Sequence, residues 1–288
     1  MSYIMKYIVV TFSLLLIQIN AFGQSGWARE KGGAFVQASV STFSSKDFYS
    51  VTGNLFDQGD RFQSQALTIY GEYGITNRIT GILNLPLYKS GRFSGTDRVG
   101  GIGDIRVGAK YAIFQQIPVS FAIEAEIPTG DGFNFAQVQD PIVPGERINI
   151  PVSDGEFNVW STLAVSKSLP TGKTYGSFYG QYNIRTEGFT DQYRLGLELG
   201  QRFIDRIWLI GRLGIQESVS NEIETTVSFL YGEGTTYTTY GLTVMADLTN
   251  ILKLTASFNE YAGFIADRMN VYDGATWSVG IAWELKTN

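Results

Sequence analysis

Two stretches carry residue types associated with phosphate chemistry, and neither completes its motif. Pro170-Thr171-Gly172-Lys173-Thr174 contains Gly-Lys-Thr, but a phosphate-cradling loop needs another glycine five residues before Gly172, where Lys167 stands. The glycines at 100, 101 and 103 fail a dinucleotide fingerprint because Arg106 occupies the place of the third glycine. Histidine and cysteine are both absent from the 288 residues. Their absence removes the commonest general base, the commonest transition-metal ligand, thiolate chemistry, disulfides and a cysteine-linked lipid anchor. Asp131, Asp140, Asp154 and Glu156 are oxygen donors without the spacing of a calcium loop. No catalytic residue, cofactor site or metal site is therefore expected. The enzymes to consider in such a context, a phospholipase, a lipid A-modifying esterase or an omptin-like protease, generally set a histidine beside the nucleophile or water.

The remaining charged residues are patterned. Glu72, Asp104, Arg106, Lys110, Glu124, Glu126, Arg194, Glu198, Arg202, Arg212, Lys253 and Glu284 fall on the polar side of segments that alternate with a period of two. The last segment shows the alternation most clearly. Trp277, Val279, Ile281, Trp283 and Leu285 share one face, and Ser278, Gly280, Ala282, Glu284 and Lys286 share the other. Tyr193, Leu195, Leu197 and Leu199 alternate with Arg194, Gly196, Glu198 and Gly200 in the same way. About twelve such segments of ~10 residues run along the chain, joined alternately by short turns and longer polar connections. With 33 Gly and 14% aromatic residues, this describes an all-β, antiparallel transmembrane β-barrel occupying residues 24–288. A soluble sandwich or lipocalin-like barrel shares the alternation but not the aromatic strand ends at Tyr73, Tyr111, Phe114, Phe203, Trp208 and Trp283.

The first residues support export. Lys6 precedes an apolar run from Tyr7 to Ile19, and Ala21-Phe22-Gly23 supplies the small residues of a cleavage site before Gln24. A signal peptide over 1–23 is expected, and the run is short for a membrane-spanning helix. The formal net charge of -5 and the lack of a basic stripe give no nucleic-acid partner.

If the apolar faces meet lipid, the twelve charges point into the lumen, where isolated charges are costly. Either they pair into ladders that fill the barrel, or they line a wet passage and set its field. Lys110 beside Glu124 and Glu198 beside Arg212 indicate pairing. The longest connection, from Gly130 to Glu156, carries Phe133, Phe135, Ile142, Val143, Ile148 and Ile150. It is too apolar for a purely solvated loop. It either folds into the mouth as a constriction or packs on neighbouring loops.

One stretch resembles a known family. Gly100-Gly101-Ile102-Gly103-Asp104-Ile105-Arg106-Val107-Gly108-Ala109-Lys110-Tyr111, followed by Pro128-Thr129-Gly130-Asp131, is similar to motifs of the MetA-pathway-of-phenol-degradation outer-membrane family. The resemblance implies a transporter-like barrel related to channels for hydrophobic compounds. One departure stands out: Leu285-Lys286-Thr287-Asn288 follows Trp283, where many such barrels end on an aromatic residue. The expected role is an outer-membrane channel for a small, hydrophobic or aromatic solute. The alternative is a non-conducting structural or surface-binding barrel. The expected partners are outer-membrane lipids, lipopolysaccharide and the barrel-assembly machinery.

Overall fold

The computed structural model describes residues 24–139, 145–219 and 233–286. The expected signal peptide, Ile142 and Val143 lie outside them. Twelve long strands close into one antiparallel barrel: β1 (Ala34–Tyr49), β2 (Leu55–Gly74), β3 (Ile79–Phe93), β5 (Ile105–Phe114), β6 (Val119–Ile127), β9 (Asn158–Ser168), β10 (Thr174–Ile184), β11 (Gln192–Phe203), β12 (Ile207–Ser218), β13 (Tyr237–Asp247), β14 (Leu252–Ala262) and β16 (Ala275–Leu285). Short strands β4 (Val99–Gly101) and β15 (Val271–Asp273) extend the wall at one end. A small hairpin, β7 (Phe135–Gln137) with β8 (Arg147–Asn149), rises from the longest connection. Closure comes from β1, which pairs with both β2 and β16 and leaves no free edge. Among the described residues no helix is long and apolar enough to cross a membrane. The crossing elements are strands.

The dyad pattern explains both faces. Odd-numbered β11 residues, Leu195, Leu197 and Leu199, face outward and are 40%, 41% and 57% exposed. Val40, Val107, Ile123, Leu163 and Val279 do the same on other strands. An apolar band around the full circumference is stable only against hydrocarbon, and a closed ladder is the sheet that satisfies every backbone group there. The interior carries polar residues that are nearly inaccessible, including Glu72, Asn84, Lys110, Gln181 and Gln216.

Short turns gather at one end. The three-residue turn after β11 places Ile204 and Asp205 at φ 51° and 54°, both in the left-handed region. Gly172 sits at φ 66° between β9 and β10, so the Gly-Lys-Thr stretch is a tight turn and cradles nothing. Tyr73, Tyr111, Phe114, Phe203 and Trp283 are exposed on the outer wall near this end. Trp208 departs from the expected girdle. Its even position on β12 turns it inward, 5.6 Å from the Tyr175 ring.

The outward assignment gives a direct expectation. Leu197→Arg, mid-way along β11, should destabilise the barrel in phospholipid bilayers by about 2–4 kcal/mol. Leu197→Phe should leave the urea midpoint unchanged. Folded fraction on unheated gels against urea reads both.

Candidate functional site

The site is the lumen, built by inward side chains and by a segment outside the strands. Residues 24–33 do not leave the barrel; they turn up inside it. Gly32 and Gly33 pair with the Gly74 backbone at the short-turn end. The Arg29 amide donates to Thr80 Oγ1 at 2.8 Å, and the Gly26 amide donates to Ser166 Oγ at 2.8 Å. Ser120 donates to the Ser25 carbonyl, and Gln24 reaches Gln181 on β10. Trp27 packs edge-on against Tyr175 at 5.5 Å. Gly26 is required there, since a Cβ would lie 2.1 Å from the Pro118 carbonyl oxygen.

Arg29 is the electrostatic centre of this segment. Its Nε meets Glu72 and its NH1 meets Glu284, each at 2.8 Å. Glu72 also holds Lys110 at 3.1 Å. Glu284 holds Lys253, which meets Asp247 at 2.6 Å, and Asp247 holds Arg202 at 3.1 Å. Lys110, Glu72, Arg29, Glu284, Lys253, Asp247 and Arg202 thus form a chain of alternating sign across the barrel. Lys110 and Glu72 are almost fully desolvated and the others partly so, and an oppositely charged neighbour offsets that cost.

A second network lies nearer the loop end. Arg106 meets Glu124 at 3.3 Å. The Trp160 ring lies between the guanidiniums of Arg106 and Arg194, at 5.4 and 4.1 Å, and its indole N–H donates to Glu126 at 2.7 Å. Glu198 meets Arg212 at 2.6 Å and accepts from Tyr175. The lumen candidates carried on strands lie on the polar faces of those strands. Asp104 differs in place, because it precedes β5 and accepts from the Gly130 amide. Lys110 pairs with Glu72 rather than Glu124; the short Thr80 on the intervening β3 lets its side chain pass.

The longest connection divides. Ala136 and Ile150 are buried with Phe48, Phe62, Phe93 and Tyr272, and Ile148 packs against this cluster. Phe62 stacks on Tyr272 at 4.7 Å. Lys89 donates to the Val152 carbonyl at 2.8 Å, tying the connection to β3. Phe133 and Phe135 are 71% and 51% exposed and lie outside this buried core. Hairpin alternation turns Ala136 inward and Phe135 outward. Beyond this core, Arg185 gathers Glu156, Asp154 and Glu233 from two other connections and lies over the Phe189 ring. Burial and the adjacent Asp154 push the Glu156 carboxyl up to about 9 against the pull of Arg185. The cluster is a clasp between loops; among the described residues no acidic group forms a metal site.

The segment leaves space beside it. A cavity of about 800 Å³ lies between it and β10–β16, lined by Trp27, Arg29, Tyr175, Arg202, Trp208 and Lys253 among others. A second, of about 590 Å³, opens at the short-turn rim beside Glu30, Lys31, Asn77, Ala112 and Pro118.

No family model and no curated sequence matches the chain. Solved structures do. An outer-membrane channel from Pseudomonas putida F1 superposes with a TM-score of 0.62 at 13% identity, over 90% of this chain and 97% of that one. The translocator domain of the autotransporter NalP from Neisseria meningitidis gives 0.52 at 13% identity, over 90% and 91%. The β-domain of the Bordetella autotransporter BrkA gives 0.52 at 14%, over 89% and 100%. The fold is that of the outer-membrane β-barrels.

Sequence reasoning missed Arg29 and Gly26, which lie before the first strand. Gly26→Val should force the segment off the wall while leaving the strands intact. Single-channel recordings should then show larger conductance steps than the unaltered protein, and Arg29→Ala should act in the same direction.

Proposed function

We propose that the chain is an outer-membrane channel for passive passage of small uncharged solutes, aromatic ones included, throttled by residues 24–33 at its periplasmic end. The observation that carries this reading is the pair of cavities beside the segment. A barrel serving only as scaffold gains nothing from unfilled volume beside a segment held by side-chain hydrogen bonds. The solute class follows from the charges. They alternate in sign and are mutually paired, so no rail of one sign runs through the lumen to select ions. Aromatic rings, with Tyr70, Trp160, Tyr237 and Tyr261 buried among them, offer stacking surface between the paired charges.

Two further observations agree. The Pseudomonas putida protein of the same fold is named as a channel. The 100–131 stretch resembles a family associated with hydrophobic compounds. The apolar outer band and closed ladder support an outer-membrane location, and in this reading the short turns face the periplasm.

Liposome swelling tests the reading. A phenyl glucoside should enter protein-containing liposomes about tenfold faster than benzenesulfonate or maltotriose. Silence toward all solutes, persisting after deletion of residues 24–31 in a folded barrel, would establish the non-conducting alternative.

A further inference from the structure

The outer wall at the loop end carries several clustered carboxylates, one of which, Asp273, is paired with Arg268 at 2.8 Å. Asp47 on β1 is registered directly against Asp57 on β2 and Asp273 on β15, three carboxylates side by side on adjacent strands. Farther round, Tyr240 donates to Glu260, Tyr193 to Glu217 and Tyr182 to Asp191, again on outward positions. One sector breaks this pattern. Phe62 and Phe93 point into the barrel, which turns Arg61 and Arg92 to the outside. Arg92 donates to Gln63, the residue opposite it on β2, at 2.8 Å. Arg61 donates to Ser44 on β1, which is registered against that same Gln63. Arg98, just before β4, donates to Ser90 Oγ at 3.1 Å from the next position along the wall.

These three guanidiniums thus project from adjacent strands, which lie about 4.8 Å apart. Their hydrogen-bond partners are a hydroxyl, an amide and a hydroxyl. Among the described residues no carboxylate lies within ion-pair distance of any of them, although Asp60 and Asp97 are their chain neighbours. Asp97 instead accepts from Gln139. Arg92 and Arg98 also repel each other, which lowers the Arg98 affinity for its proton after burial has done so. Like charges held together without a counter-charge are an unbalanced arrangement, and an anion corrects it. Directly below on the same wall lie exposed Leu67, Leu87 and Tyr88, the upper part of the apolar band.

We propose that Arg61, Arg92 and Arg98 form a docking site for the phosphorylated headgroup of an outer-leaflet glycolipid. A bound amphiphile places its phosphates on the guanidiniums and its acyl chains on Leu67, Leu87 and Tyr88. Guanidinium suits the phosphate because its fork gives two parallel donors. Gln63, Ser44 and Ser90 hold the three side chains flat against the wall. The neighbouring carboxylates Asp47 and Asp57 disfavour an anion on the adjoining sector. The site rests on the outer-membrane placement of the barrel and is independent of whether the lumen conducts.

Native mass spectrometry of the full barrel released from detergent tests it, with diphosphoryl lipid A, dephosphorylated lipid A and inorganic phosphate as probes. The first should bind at least tenfold more tightly than the second, and millimolar phosphate should not displace it. R61Q/R92Q/R98Q should lose that preference, and R61K/R92K/R98K should keep part of it. Heat-modified gel mobility reports folding of each variant, and R92Q alone serves should the triple variant not fold. Equal binding of both lipids, full retention by the folded glutamine variant, or saturation by phosphate alone would overturn the proposal. Fractionation of the same variants with outer membranes separates a failed site from a failed placement.

Discussion

A wall that meets hydrocarbon leaves its polar residues only one direction, inward. A barrel of twelve strands lies between small barrels filled by side chains and wide aqueous porins, and a charge left unpaired in its interior is costly. The charges must therefore neutralise one another across the lumen. This constraint shapes the short-turn half of the molecule. Strand residues alone supply two separate groups, Lys110 with Glu72 and Glu284 with Lys253, Asp247 and Arg202. Arg29 joins them by meeting Glu72 and Glu284 together. The segment that carries Arg29 is thereby held where it narrows the passage, and electrostatic neutralisation and occlusion become one feature.

The loop half solves a different problem. There the chain leaves the apolar band and must close a wide opening without a sheet across it. It does so with a hydrophobic core of ordinary kind, Phe48, Phe62, Phe93 and Tyr272 from the wall against Ala136 and Ile150 from the longest connection. Arg185 adds a polar clasp by drawing Asp154, Glu156 and Glu233 together. The two ends of the lumen are thus restrained by unlike forces. Burial of apolar area at one end depends on no single charge, and paired charges at the other respond to any change in a single partner.

Much of this was legible in the sequence wherever the period-two pattern holds. The alternation of Leu195, Leu197 and Leu199 with Arg194 and Glu198 separates two faces without coordinates, and the export signal and aromatic strand ends indicate which of them meets lipid. What the alternation cannot supply is stagger between strands. Lys110 was expected beside Glu124, a neighbour-strand partner, yet it reaches past Thr80 to Glu72 two strands away. Arg29 and Gly26 carry no periodic signal because they precede β1, so only the fold reveals their contacts. Trp208 was assigned to the aromatic girdle by its nearness to a turn, although its parity with Arg212 already placed it inside. Phe135 was read from hydrophobicity alone, and the hairpin that turns it outward is three residues long on each side, too short to announce itself.

Residues 24–33 are held inside the lumen by Arg29. The chain has no cysteine, so a single one introduced at Ala28, which faces the larger cavity, can carry a nitroxide spin label without background. Its electron paramagnetic resonance spectrum in bilayers should show slow, restricted motion, and it should sharpen when Arg29→Ala is added. A sharp, fast-motion spectrum in the chain that retains Arg29 would contradict the account.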